Sequence, residues 1–377
     1  MLTALNIEPL ENSLGDLTSM NLCSLIINES KFIDVRSPNE FSKGSVTNAV
    51  NMPILSDQDR HEVGICFQNK GQDAAIELGN KLVTGVKKKQ IVTNWSEFIR
   101  NNPNSIIYCA RGGLRSQICQ KWLNENRMVC PRLEGGYKSI RNFLLDELNK
   151  ICKSQNIFLL SGMTGSGKTQ LIQKHHRAID LEGIANHKGS SFGKPLDSQP
   201  AQIDIENLIC VNFMKLINEN SHPILLEDES RNIGARHLPL ELSNKMSGSP
   251  MVLIDATFDE RIDLLWKEYI VDRYQETKNF FLDDEKANIE FRLHLTGSLK
   301  RLEKRLGGER TRKILSLLEN ALRTQTNDNF ESHRIWLKEI TKLYYDPLYK
   351  FKLEKKKSRI VFRGSREEVF DWLQHHT

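Results

Sequence analysis

A glycine-rich stretch constrains this chain more than any other feature of the sequence. The residues GMTGSGKT, at 162–169, follow the apolar run NIFLL and precede a segment with helical periodicity. This Gly-x4-Gly-Lys-Thr pattern is typical of a P-loop, in which backbone amides surround a diphosphate, the lysine pairs with its charge and the threonine hydroxyl can hold magnesium. We therefore expect a diphosphate to contact Gly162, Gly165, Ser166, Gly167, Lys168 and Thr169, with Thr169 as the magnesium ligand.

Short apolar runs alternate with helical segments through most of the chain, which indicates an α/β fold. The predicted strands are KFIDVR, NSIIYCA, NIFLLSG, HPILLEDE, MVLIDATF, FRLHLTG and SRIVFRG. Between the second and third of them, SIRNFLLDELNKICKS carries apolar residues at helical spacing. We place the domain boundary in this helix and predict two domains, residues 1–148 and 149–377, the second with a parallel sheet.

The composition argues against several classes of protein. Hydrophobic residues make up 39% and charged residues 27% of the 377 positions, which is ordinary for a globular protein. The start, MLTALNIEPLENSLGDL, is not a secretory signal, and no apolar run approaches the roughly 20 residues of a membrane span. Seven cysteines without a CxxC pair argue against a disulfide framework or structural zinc. We expect a cytoplasmic location, no membrane contact and no tightly bound cofactor.

Positive charge is concentrated in three segments, although the net charge is only +5. These are Lys87–Lys89, Lys300–Lys313 and Lys350–Lys357. Each segment alone is equally well explained as a solvated helix face, but together, beside a site for small anions, they favour a nucleic acid partner. RLEKRLGGER within the second segment resembles a lid over phosphates, with a plain amphipathic helix as the alternative. The residues assigned to this lid or to the nucleic acid are Lys300, Arg301, Lys304, Arg305 and Arg310.

A second loop, YCARGGLRSQ at residues 108–117, places a cysteine ahead of two glycines and two arginines. Backbone amides of residues 110–115 and the start of a helix near Leu114 would surround the Cys109 sulfur and favour its thiolate. We predict that Cys109, Arg111 and Arg115 are catalytic. The alternative is a buried cysteine in an ordinary glycine turn.

The segment FIDVRSPNEFSKGSVTNAVNMP, at residues 32–53, resembles the opening of rhodanese domains when it is taken together with the cysteine loop. The matching positions are Asp34, Arg36, Pro38, Glu40, Phe41 and Gly44, whereas Ser45 and Val46 stand where a His-Ile pair is usual. Cys109, Arg115 and Ser116 also fit the C-x5-R-S pattern of cysteine-dependent phosphatases, and many sulfurtransferases have a loop one residue shorter. The loop length suggests an anion bulkier than a sulfur atom and leaves both chemistries open.

Downstream of the P-loop, HPILLEDESRNIG brings acidic residues to the end of a predicted strand. Carboxylates at this place commonly orient magnesium or a catalytic base, and a capping cluster on a solvated loop is the alternative. The cluster consists of Glu227, Asp228, Glu229 and Arg231. The pair His175–His176 has no partner at metal-ligand spacing, so we assign it to a helix surface.

The combination of both loops with DLEGIANHKGSSFG, LEDESRNIG and YYDPLY resembles the tRNA 2-selenouridine synthase family, from about Phe32 to Tyr349. The resemblance implies a rhodanese-like domain fused to a P-loop NTPase-like domain, acting on the wobble 2-thiouridine of tRNA. It implies that geranyl diphosphate alkylates the sulfur and that selenium from selenophosphate then displaces the S-geranyl group. An enzyme that makes selenophosphate would be a further partner.

The resemblance leaves the role of the cysteine open. Cys109 could carry selenium as a persulfide-like group, or it could activate the reaction without bonding selenium. Two other functions compete: a sulfurtransferase or phosphatase fused to a nucleotide kinase-like domain, and a nucleotide-sensing module without chemistry. Neither of them explains LEDESRNIG or ANHKGSSFG.

Overall fold

The computed structural model describes residues 22–220, 222–326 and 329–377, and the N-terminal stretch considered above as a signal lies outside these residues. The chain divides into two compact units. The first unit comprises Met1–Leu148 and Ala201–Lys215, and the second comprises Asn149–Pro200 and Leu216–Thr377. The segment Ala201–Lys215 therefore packs with the first unit, although the expected boundary assigns it to the second domain.

The first unit is built on a parallel sheet with the strand order β2–β1–β3. Its elements are α1 (Leu22–Ile27), β1 (Phe32–Asp34), α2 (Pro38–Ser42), β2 (Ala49–Asn51), α3 (Asp57–Leu82), α4 (Gly85–Asn101), β3 (Ile106–Tyr108), α5 (Leu114–Glu125) and α6 (Gly136–Ser154). Strands β1 and β3 are buried along their whole length because they form the centre of the core. All three strands run the same way, so their carboxyl ends meet at one edge, where Cys109 follows β3.

The second unit begins with a strand, a P-loop and a helix, and it continues to the end of the described chain. Its elements are β4 (Ile157–Gly162), α7 (Lys168–Lys174), β5 (Ala178–Ile179), α8 (Leu181–Ile184), α9 (Gln202–Glu219, shared with the first unit), β6 (Ile224–Glu227), β7 (Asn232–Ile233), β8 (Arg236–His237), α10 (Leu240–Gly248), β9 (Met251–Ile254), α11 (Phe258–Trp266), α12 (Arg273–Phe281), α13 (Asp284–Leu306), α14 (Gly308–Thr324), α15 (His333–Ile340), α16 (Asp346–Lys355), β10 (Ile360–Gly364) and α17 (Arg366–His376). Turns of π-helix join α11 to α12 and α15 to α16.

The sheet of the second unit is parallel, with the strand order β10–β9–β4–β6–β5, which confirms the predicted α/β architecture. In its register, Gly162 of β4 lies beside Ile254 of β9, and Leu160 lies beside Glu227 of β6. The P-loop and the acidic stretch after β6 therefore leave the sheet at the same edge. No helix within the described residues is both long and apolar enough to cross a membrane.

One predicted strand is wrong, because FRLHLTG (residues 291–297) lies inside helix α13. Its alternating pattern would place Phe291, Leu293 and Leu295 on one face of a strand. In the helix, Phe291 and Leu295 are four residues apart and fully buried, whereas Leu293 is 56% exposed. Burial continues at Leu299 and Leu302, so the helical period extends beyond the short stretch that suggests a strand. The other predicted strands, and the helix beginning at Leu114, are confirmed.

The assignment of His175 to a helix surface is also wrong. His175 directly follows α7 and is buried, and its Nε2 lies 2.9 Å from the hydroxyl of Thr377. Burial lowers the pKa of His175 to about 4, helped by the neighbouring His176 and Arg177. The histidine is therefore neutral at physiological pH and serves packing.

Alanine substitutions on the buried and exposed faces of α13 should differ in their effect on the free energy of unfolding. We expect Leu295→Ala to lower the free energy of unfolding by about 2–5 kcal/mol, because it leaves a cavity in the core of the second unit. Leu293→Ala should change it by no more than about 0.5 kcal/mol, because the side chain is exposed. Urea unfolding followed by circular dichroism measures both. Equal losses would contradict the helical register.

Candidate functional site

The cysteine loop connects β3 to α5 at the carboxyl edge of the first sheet. Cys109 is buried, and its Sγ lies 3.2 Å from the Ser116 hydroxyl and 3.7 Å from the Gly113 carbonyl oxygen. Gly112 has a φ of +64°, a conformation that favours glycine. Gly113 has a φ of −91° and needs no such freedom. Helix α5 then begins directly after the loop.

A second glycine turn holds the cysteine loop in place, and the sequence analysis missed it. The backbone N–H of Tyr137 donates to the Cys109 carbonyl at 2.9 Å, and that of Lys138 donates to Ala110 at 3.0 Å. A Cβ at Gly136 would collide with this backbone, so only glycine allows the approach. The buried Arg132 guanidinium also donates to the Gly112 carbonyl. In the sequence, the adjacent glycines Gly135 and Gly136 of EGGY are the pattern that could have indicated this turn.

The two arginines of the loop have different surroundings. Arg115 makes a double ion pair with Glu40, with N–O distances of 2.5 and 3.0 Å. Burial alone would raise the pKa of Glu40, but the bonds from Arg115 outweigh it and lower that pKa to about 2. Arg111 is exposed and has no ion pair within the described part of the chain. The guanidinium of Arg115 is therefore bound by Glu40, whereas the exposed guanidinium of Arg111 can bind an anion.

The P-loop has the backbone that its sequence predicts. Gly165 and Gly167 have φ angles of +79° and +88°, and α7 begins at Lys168, so the free amides of its first turn face the loop. The Ser166 hydroxyl is buried without a hydrogen-bond partner among the described residues. A Cβ at Gly167 would lie 2.8 Å from the side chain of Arg366, which brings an additional cation to the loop.

Lys168 lies among acidic and phenolic side chains. Its ammonium is 3.4 Å from the Gly162 carbonyl oxygen and 5.8 Å from the centre of the Tyr349 ring. Burial alone would lower the pKa of Lys168, but Tyr349, Glu229 and Glu182 outweigh burial and raise it. Lys168 therefore stays charged at the centre of an acidic cleft.

The predicted acidic cluster separates into residues with different surroundings. Glu227 is fully buried and accepts a hydrogen bond from the Leu181 N–H at 2.8 Å, and burial raises its pKa well above the usual range. Asp228 accepts the Ser161 hydroxyl at 2.9 Å and pairs with Lys356 at 2.7 Å. Arg231 is exposed. Glu229 is the member that lines the P-loop cleft.

Glu229 has a partner that the sequence analysis missed, Glu182 of α8. Burial, and then the charge of Glu182, raise the pKa of Glu229 to about 8, and Lys168 opposes this shift. The Thr169 hydroxyl lies 3.4 Å from a Glu182 oxygen. Hydroxyl and carboxylate oxygens are ligands that magnesium prefers, so these residues fit the ion. Among the described residues, no group of three acidic, histidine or cysteine side chains is arranged to hold a metal ion.

Both loops lie in segments that match known families. Residues 155–377 match the family described as "tRNA 2-selenouridine synthase AAA domain", and residues 21–143 match the "Rhodanese-like domain". The tRNA 2-selenouridine synthase of Cupriavidus necator is 41% identical over 94% of this chain and 96% of that protein. The corresponding proteins of Pseudomonas syringae pv. tomato and Shewanella frigidimarina are 41% and 39% identical, over 94% and 93% of this chain and 97% and 96% of theirs. The chain belongs to the tRNA 2-selenouridine synthase family.

This membership confirms the resemblance and the predicted rhodanese-like and P-loop-like folds. The motifs that carried the family resemblance support the P-loop cleft. Asp346 of YYDPLY pairs with Arg261 at 2.8 Å, and Arg261 donates to the Thr164 carbonyl at 3.2 Å. Ser190 of GSSFG lies 3.1 Å from the Tyr345 hydroxyl. These contacts join residues far apart in the chain, so the sequence alone does not reveal the roles of the motifs.

The predicted lid consists of two helices, the end of α13 and the start of α14, joined at Gly307. Arg301 donates to the Ser191 carbonyl at 3.0 Å and to the Ser298 hydroxyl at 2.7 Å, so it fastens the GSSFG loop. The other four residues of this group are exposed: Lys300, Lys304, Arg305 and Arg310. Elsewhere, Lys87, Lys88, Lys356 and Lys357 pair with carboxylates. The exposed end of α13 and start of α14 therefore form one basic surface, and Lys89, Lys350, Lys352 and Lys355 of the other two segments are exposed as well.

Because its pKa is raised, Glu229 should make the folded protein less stable as the pH rises. A carboxyl group whose pKa rises from 4.5 to about 8 on folding stabilises the fold below pH 4.5, and this contribution is lost as the pH rises through 8. We expect Glu229→Gln to be more stable than the wild type at pH 9 by about 1–3 kcal/mol, with the difference disappearing near pH 5. Urea unfolding at both values measures it. Exposed Glu303→Gln is the control, and parallel pH profiles for wild type and Glu229→Gln would contradict the assignment.

Proposed function

We propose that this chain is a tRNA-modifying transferase that converts wobble 2-thiouridine to 2-selenouridine through an S-geranyl intermediate. The observation that supports it is the 41% identity, over 94% of the chain, to a relative named tRNA 2-selenouridine synthase. Geranyl diphosphate would bind at the P-loop and selenophosphate at the cysteine loop. The proposal includes a cytoplasmic location and an enzyme that supplies selenophosphate.

The first step suits the P-loop cleft. The thiocarbonyl sulfur of the base attacks C1 of geranyl diphosphate, the C–O bond breaks, and the diphosphate leaves with the electron pair. Lys168 and the amides at the start of α7 stabilise the negative charge of the leaving group. The base loses its N3 proton, which the ionised form of Glu229 can accept, since this carboxyl group lines the same cleft. Magnesium, held by Thr169 and Glu182, would add charge stabilisation for the diphosphate.

The second step assigns Cys109 an activating role and not that of a selenium carrier. Selenium in selenophosphate is already at the selenide level, so an S–Se bond on Cys109 would need a two-electron oxidant. A balanced route is attack of the Cys109 thiolate on phosphorus: the S–P bond forms, and the P–Se bond breaks with its electron pair on selenium. The released selenide adds to C2 of the base and expels geranylthiolate. Water then hydrolyses the phosphocysteine to phosphate and the free thiol.

The surroundings of Cys109 suit this chemistry. The Ser116 hydroxyl, 3.2 Å from Sγ, can donate to the thiolate, and Arg111 is free to bind the phosphate. A phosphatase built on the C-x5-R-S pattern would use Arg115 for phosphate, but Glu40 already binds that guanidinium. This ion pair disfavours the phosphatase alternative. Turnover of an aryl phosphate by the intact protein would favour it again.

Loss of the thiol should separate the two steps. Cys109→Ser should accumulate S-geranylated tRNA without selenouridine, because alkylation uses the sulfur of the tRNA whereas selenium release needs the thiolate. Lys168→Ala should yield neither product from thiolated tRNA but should make selenouridine from pre-geranylated tRNA. Nucleoside mass spectrometry on the purified reactions measures each species. Cys66→Ser and Lys174→Ala are the controls, and normal selenouridine from Cys109→Ser would overturn the role of the thiol.

The exposed basic residues of α13 should contact tRNA phosphates. Replacing Lys300, Lys304 and Arg305 with alanine should flatten the slope of log affinity against log salt by about 2, because each phosphate contact contributes roughly 0.7–0.9. Filter binding of tRNA from 50 to about 200 mM salt measures the slope. The triple variant of exposed Lys43, Lys70 and Lys121 removes the same charge elsewhere. An equal effect of both triple variants would show that only net charge matters.

A further inference from the structure

The first unit contains an apolar cavity of about 340 Å³, within the roughly 300–1,000 Å³ of small-molecule sites. Its wall is formed by α3, the segment before α3, Val83 and the first half of α5. The apolar residues that form most of it include Leu55, Val63, Ala75, Ile76, Val83 and Ile118. Such a lining suits a hydrocarbon chain and offers little to a sugar or a nucleotide.

The shape of α3 creates this cavity. Gly71 has a φ of +83° and interrupts the helix, so its two halves run in different directions and both line the space. Glycine at position 79 leaves the wall open, since a Cβ there would meet no atom within 4 Å. Phe67 and Leu114, which also line the cavity, remain 54% and 38% exposed. Apolar side chains left in water at the wall of an apolar space indicate that a ligand covers them.

The cavity borders the segment that directly follows the cysteine loop. Leu114 and Arg115, in its wall, are the first residues of α5 after that loop. Cys109 packs in the same core cluster as the cavity residues Ile54, Leu55 and Trp122. Arg60 and Arg115 supply the cations of the lining, and both pair with Glu40. A ligand with an apolar chain and a polar end would thus place the polar end toward the cysteine loop.

We propose that this cavity binds the geranyl chain of the S-geranyl base while selenium replaces sulfur. The inference rests on the proposed function, because that function supplies an apolar chain whose attached sulfur must be displaced beside Cys109. Binding the chain would orient C2 of the base for selenide and would retain the geranylthiol as it leaves. Each methylene transferred from water to such a lining contributes about fourfold in affinity.

The test fills the cavity and measures binding without tRNA. Gly79→Phe would place a ring in the open space, and Gly248→Phe is the matched control, since it too is a helical glycine whose Cβ would meet no atom. Titration calorimetry with geraniol and its five-carbon analogue prenol measures affinity. We expect geraniol to bind the wild type and Gly248→Phe alike, to bind Gly79→Phe at least about tenfold more weakly, and prenol to bind weakly throughout.

Phe67→Ala is a second variant in case Gly79→Phe does not fold, and it should also weaken geraniol binding. Equal geraniol affinity in wild type and Gly79→Phe, or no binding to the wild type, would overturn the proposal. The same holds if Gly79→Phe converts S-geranylated tRNA at the wild-type rate. These outcomes differ from failure of the proposed function, in which no selenouridine forms even though geraniol binds the cavity.

Discussion

The cleft of the second unit depends on the attraction between the Lys168 ammonium and the acidic side chains around it. Parallel strands bring the P-loop and the acidic stretch after β6 to one edge of the sheet, and α8 adds Glu182. Burial in this cleft, and then repulsion from the neighbouring Glu182, raises the pKa of Glu229 to about 8. The lysine ammonium offsets part of this repulsion. A cleft balanced in this way can accept an anionic diphosphate with a divalent cation.

The first unit holds the buried Cys109 thiol in a loop with a fixed backbone. Two glycine turns meet back to back, and hydrogen bonds from Tyr137 and Lys138 fasten the cysteine loop to the start of α6. The buried pair of Arg36 and Asp34 and the pair of Arg115 and Glu40 stabilise the segments beside it. Because residues outside the loop bind its backbone, the Ser116 hydroxyl can lie next to the Cys109 sulfur. The same arrangement leaves Arg111 in solvent, where an anionic substrate can reach it.

The helices beyond the P-loop show how distant motifs support one cleft. Arg261 joins Asp346 to the loop backbone, Ser190 approaches Tyr345, and Arg301 fastens the GSSFG loop to α13. These contacts join residues that are between 85 and 155 positions apart in the chain. Arg301 is therefore tied to the GSSFG loop by its hydrogen bond to Ser191, and Lys300, Lys304 and Arg305 beside it are exposed.

The sequence by itself determined the elements whose signals are local. The P-loop, the cysteine loop, the α/β alternation and most strands follow from short patterns, because glycine torsions and apolar periodicity act over a few residues. The tertiary structure decided what depends on distant neighbours. It assigned Arg115 to Glu40, separated Glu227 from Glu229, brought Glu182 to the loop and buried His175 against Thr377. It also turned FRLHLTG into helix, because the burial pattern that identifies the helical face extends beyond that stretch.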